Sequence, residues 1–115
     1  MRVKDAMSPI SAIVGPEHTL RQAAVRMVQN RTGAAVVLDH TLPGPGVVTE
    51  RDLLRAVAAG DDPATALVED RMTHQVVTAA PDWPIADAAT LMVKHGVRHV
   101  LVFEGSELAG ILSMR

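Results

Sequence analysis

The sequence predicts a mixed α/β (α+β) domain made of two copies of one small unit. Three observations carry that expectation. The first is an internal duplication. Setting each residue against the one 65 positions further on places "VKDAM" at Val3 over "VEDRM" at Val68, and Pro16 over Pro81. The same offset places Ala23-Ala24 over Ala88-Ala89, Met27-Val28 over Met92-Val93, and Val37 over Val102. One residue is lost in the loop after Asp39, beyond which Gly46 meets Gly110, Thr49 meets Ser113 and Arg51 meets Arg115. The second is that each copy sets one helical stripe among short β-branched runs. The third is composition: alanine and valine fill the apolar share and the only aromatics are Trp83 and Phe103. Small and β-branched residues suit helices packed closely on a sheet.

Each element follows from local pattern. A short helix is expected at "VKDAM", then a strand near Ala12–Val14. Leu20, Ala23, Ala24, Met27 and Val28 recur at helical spacing, with Thr19 and Gln22 as a capping box at the start. Strands are expected at "AAVVLD" and "GVVT", joined by the turn-rich "HTLPGPG". A helix then runs from Glu50 to about Ala59, stopped by Gly60 in the left-handed region. In "DDPATALVEDRM" a further helix is expected to restart, with Asp62 as N-cap and Pro63 at its first position. Copy two repeats the order: a strand near Val76–Thr78, the stripe Ile85, Ala88, Ala89, Met92, Val93 with Pro84 in its first turn, then "HVLVFE" and "GILS". Each repeat therefore reads helix-strand-helix-strand-strand-helix, with repeat 1 at 1–60 and the linker plus repeat 2 at 61–115. The last helix of the second repeat is absent from the sequence, which stops at Arg115. One copy alone leaves an apolar face uncovered. Two copies packed about a pseudo-two-fold axis bury those faces against each other and create clefts related by that axis.

Bulk properties narrow the function. The formal net charge of −2 with no block of like charge argues against a nucleic-acid backbone binder. There is no cysteine, so neither a disulfide framework nor thiolate chemistry is available. The amino-terminal "MRVKDAMSPI" has no signal-peptide core and no stretch is long enough to span a bilayer, so a cytoplasmic location is expected.

The duplicated pattern resembles a pair of cystathionine-β-synthase (CBS) domains, a Bateman module. The resemblance is carried by "VKDAMSPISAIVGPEHTLRQAAVRMVQN", "GVVTERDLL", "VEDRMTHQVVTAAPDWPIADAATLMVKHGVRHVLVFE" and "GILS", and it covers essentially the whole chain. It implies a regulatory module that requires no cofactor and binds an adenosyl ligand (AMP, ADP, ATP or S-adenosylmethionine) between the repeats. It also implies disc-shaped homodimers.

Site residues follow from the two together. Thr49-x-x-Asp52 opens a helix, where a hydroxyl and a carboxylate make a capping box. By resemblance the same carboxylate takes the hydroxyls of a ribose. An acid there repels phosphate, so cations elsewhere are required: Arg98 and His99 in "VRHVLVF", with Arg115 as a third. The resemblance lines the adenine slot with Ala12, Ile13, Val14, Val47, Val76, Val77 and Thr78, all of which also fit plain core or strand positions. Copy one has Gly33-Ala34 where copy two has the basic pair, and Ser113 lacks its following Asp. One competent site is therefore expected, combining Thr49 and Asp52 with Arg98 and His99.

No enzyme constellation is present. Serines sit in no nucleophile elbow, and no phosphate-cradling glycine loop appears. His95 and His99 are separated by Gly96, so they do not share a helical face for zinc. The acidic pairs Asp61-Asp62 and Glu69-Asp70 read as solvated charge. Two alternatives to ligand regulation stay open. One is a structural dimerisation unit with a decayed site. The other is the regulatory fragment of a larger enzyme or transporter.

Overall fold

A computed structural model describes residues 1–114. In chain order the elements are α1 (Val3–Ala6), β1 (Ile13–Val14), α2 (Leu20–Gln29), β2 (Ala34–Val37), β3 (Gly46–Thr49), α3 (Glu50–Ala58), a 3₁₀ turn (Val68–Asp70), β4 (Thr78–Ala79), α4 (Ile85–His95), β5 (His99–Glu104) and β6 (Glu107–Ser113). They form two compact units, residues 11–75 and residues 1–10 with 76–115. This division departs from the repeat boundary. Each repeat's leading segment belongs to the unit built around the other repeat's sheet.

In the unit 11–75 the sheet order is β1-β2-β3, with β1 parallel and β3 antiparallel to β2. Thr19 caps α2 through its hydroxyl, which accepts the Gln22 amide, while the Gln22 side chain accepts the Thr19 amide. The core gathers Leu20, Ala23 and Met27 from α2 with Val14, Ala35, Val37 and Val48 from the sheet and Ala56 from α3. Val68 and Met72, from the segment leading into repeat 2, complete it. The Thr73 carbonyl and amide pair with those of Val47, adding a bridging residue beside β3.

The other unit repeats the plan, with β4 parallel and β6 antiparallel to β5. Here Val3 enters a core of Ala79, Ala88, Met92, Val100, Val102 and Leu112, and Ser8 bridges to Ile111. The first amide of each long helix is satisfied from an exchanged segment: Leu20 donates to the Ala66 carbonyl and Ile85 to that of Met1. The hairpin β5–β6 closes through Gly105 (φ 63°) and Ser106, so β6 extends back to Glu107, further than the "GILS" core of the pattern.

Several expectations are corrected. The helix expected from Asp62 does not form. Asp62 holds a single turn, its carboxylate accepting the Ala64 amide and its carbonyl the Ala66 amide. The carbonyls of Pro63 and Ala66 are then taken by the Arg21 and Leu20 amides of α2, which leaves Pro63 nothing with which to propagate its own helix. The strand placed at Val76–Thr78 lies at Thr78–Ala79. Pro84 is the N-cap of α4, one position before its first turn. The apolar stripe is narrower than its spacing suggests: Val28 and Val93 are 79% and 77% exposed. Each lies about 100° round the helix from the buried methionine before it. Asp61 is not merely solvated, since the Arg71 guanidinium donates to both its carboxylate oxygens, at 2.8 and 2.9 Å.

Candidate ligand-binding site

The β3–α3 junction carries the most structured polar group of the unit 11–75. Strand and helix meet with no residue between them, because Thr49 is at once the last residue of β3 and the N-cap of α3. The Asp52 Oδ2 accepts both the Thr49 amide (2.8 Å) and the Thr49 hydroxyl (3.0 Å), and the Thr49 Oγ1 accepts the Asp52 amide (3.2 Å). The capping box is therefore formed through one carboxylate oxygen. Among the described residues nothing donates to the other, Oδ1, so the half-buried Asp52 keeps an acceptor for a further donor. Beside it the Glu50 carboxylate lies against Gly33, where a Cβ would stand 3.1 Å from Glu50 Oε1.

The residues expected around an adenine divide by burial. Ala12, Val14 and Val47 are core residues, and the backbone of Val47 is committed to Thr73. Ile13 points outward, 45% exposed. In the other unit Val76 and Val77 are half-buried, Val77 against the core, while Thr78 is exposed. That unit also holds Arg98, exposed just before β5, and the half-buried His99 at its first position, paired in register with Ser113. The Arg98 carbonyl accepts the Met114 amide, as that of Gly33 accepts the Glu50 amide, so the two junctions are built alike with different side chains. Arg115 lies outside the described residues. Thr49 and Asp52 thus stand together in one unit, and Thr78, Arg98 and His99 in the other.

Three polar contacts escaped the pattern reading. His18 accepts the Gly15 amide on Nδ1 at 2.7 Å, which fixes the loop between β1 and α2. Thr41 donates its amide and hydroxyl to Asp39, and these bonds hold that half-buried carboxyl below the ordinary range. Arg26 donates to the Ile13 carbonyl. Two had a signal in the sequence: Asp39 two residues before Thr41 is the pattern of an Asx-turn, and Arg26 faces Leu91 in the repeat alignment, a charge opposite an apolar residue within otherwise matched helices.

Two β-α-β-β units, each completed by the other's leading segment and one carrying a Thr-x-x-Asp cap, define a tandem-repeat module. The CBS-domain family model matches the chain twice, over residues 3–59 and 68–115, and the chain belongs to that family. The CBS domain-containing protein YhcV of Bacillus subtilis (strain 168) is 34% identical over 113 residues, 97% of this chain and 79% of YhcV. The CBS domain protein PAE2072 from Pyrobaculum aerophilum, solved in complex with AMP, is 32% identical with a TM-score of 0.84, over 98% of this chain and 87% of that one. Arabinose 5-phosphate isomerase KdsD of Yersinia pestis is 29% identical over 116 residues, 99% of this chain but 35% of the isomerase. Among the described residues no helix is long and apolar enough to cross a membrane.

Proposed function

We propose that the chain is a cytoplasmic, non-catalytic regulatory module that binds an adenosyl ligand between its repeats and signals by a shift in their arrangement. The observation that carries this reading is the Thr49–Asp52 pair, whose Oδ1 accepts no bond among the described residues, in a chain of which 98% aligns with a protein solved with AMP. Asp52 Oδ1 takes the ribose hydroxyls, Arg98, His99 and Arg115 take the phosphate, and the outward backbone of the first strands takes the adenine. Ligand favours whichever arrangement it binds more tightly, and only by that difference in affinity. The reading includes a homodimer, supported by the exposed apolar side chains Leu54 (71%) and Val57 on α3.

Thermal melting with AMP, ATP and S-adenosylmethionine tests it. Ligand at a hundred times Kd adds about 2.7 kcal/mol, a rise of several degrees in Tm for a chain this size. Asp52→Ala lowers affinity at least tenfold, about 1.4 kcal/mol, and leaves dimerisation intact. No shift with any adenosyl compound leaves a structural dimerisation unit instead. A second reading, a regulatory piece of a larger enzyme, is favoured by the KdsD relative, of which the chain matches about a third. The mass of the native protein decides it.

A further inference from the structure

A helix at a protein surface ordinarily turns polar side chains outward. In the unit 11–75 both long helices depart from that rule, and in the same way. Arg21, Val25 and Val28 of α2 recur at i, i+4 and i+7, a spacing that keeps them within about 60° of one another round the helix. Glu50, Leu54 and Val57 of α3 repeat that spacing. All six side chains are exposed, Val25 at 46% and Val57 at 57% being the most covered of the apolar four. The two helices pack against one another, so the stripes stand on neighbouring elements. Each stripe opens with a charge, and the two charges are opposite. Among the described residues neither Arg21 nor Glu50 forms an ion pair. The Glu50 carboxylate rests beside Gly33, which has no side chain to hold it.

The other repeat does not share the feature. In α4 the positions matching Arg21, Val25 and Val28 are Ala86, Thr90 and Val93, all exposed, with no charge and one large apolar side chain. We propose that α2 of one chain lies parallel to α3 of a second copy, with Arg21 against the partner's Glu50, Val25 against the partner's Leu54 and Val28 against the partner's Val57. Equal spacing brings the three pairs into register along one seam. A two-fold axis repeats the contact with the roles of the helices exchanged, so all four stripes are covered and assembly closes at two chains. The occupant is a second copy because the complement of each stripe, in charge and in spacing, is carried by this chain itself. The inference rests on the homodimer reading and goes beyond it, since it assigns the interface to the first repeat and fixes its register.

Sedimentation equilibrium of the whole chain tests it. Arg21→Glu and Glu50→Arg each raise the dimer Kd at least tenfold, because like charges then meet at both contacts, and the double variant Arg21→Glu/Glu50→Arg restores it. Misfolding of the single variants cannot produce that restoration. Leu54→Asp weakens the dimer as well, whereas Val93→Asp on α4 leaves it unchanged. A dimer indifferent to both single charge reversals, a double variant no tighter than the singles, or a dimer broken by Val93→Asp overturns the inference while the homodimer stands. A chain that is monomeric at every concentration removes both.

Discussion

At the scale of single residues, one difference between the repeats falls where backbone geometry is demanding. Arg31 has φ 52°, and its repeat equivalent is Gly96 with φ 65°. Both end a long helix in the left-handed region, with the following amide (Thr32 or Val97) returning to the carbonyl of Met27 or Met92. Copy two ends its helix with the residue that suits this conformation. Copy one does so with a side chain that costs about 1 kcal/mol there. Arg31→Gly is therefore expected to raise the urea midpoint by about 1 kcal/mol of stability, although it removes a charge and makes no new contact. Gly110 works in the opposite sense. A Cβ there would stand 2.7 Å from the Ser8 carbonyl oxygen, and at Gly46 it would stand 3.0 Å from that of Thr73. Backbone cannot step aside as a side chain can, so Gly110→Ala is expected to cost about 1–3 kcal/mol, and more than Gly46→Ala, in the same urea titration.

Among the elements, those set by local chemistry were legible and those set by distant carbonyls were not. "GVVT" and "HVLVFE" form β3 and β5 with the bounds their residues suggest, and the Thr19 and Thr49 boxes open α2 and α3. The Asp62-Pro63 signal was also sound locally, yet the carbonyls a helix needs were claimed by α2. The candidate site was legible to the same degree. The sequence located Thr49 and Asp52, but not that one oxygen of Asp52 does all the capping, because hydrogen-bond partition within a carboxylate leaves no trace in residue type. Burial of Ala12, Val14 and Val47 was equally hidden, since small apolar residues suit a slot and a core alike. The segment after α3 is fastened by the Arg71 fork, which holds the Asp61 carboxyl below the ordinary carboxylate range. A carboxyl lowered by folding contributes stability that is fully present above its unfolded value and is lost as pH falls through the folded one. The stability gap between the native chain and Arg71→Met is expected to hold constant above about pH 5 and to close as pH drops below about 4. The pair is part-exposed, so the gap itself is small.

For the whole molecule, the exchange of leading segments means that neither repeat owns a finished core. Val3 and Val68 are repeat equivalents, each wholly buried among residues that belong to the other repeat's sheet and helices. Val3→Ala and Val68→Ala are each expected to cost about 2 kcal/mol. Amide hydrogen exchange should show the loss of Val3 felt first in β5 and β6, and that of Val68 in β2 and β3. An effect confined to each residue's own repeat would contradict the exchange. The exchange also orders events during synthesis. Residues 11–75 are contiguous and can fold as soon as they clear the ribosome, whereas Val3, made before them, has no partner until the segment from Ala79 through α4 has been translated. Residues 1–10 therefore wait as an unsatisfied hook while the whole of the unit 11–75 is made, and find their place only after it.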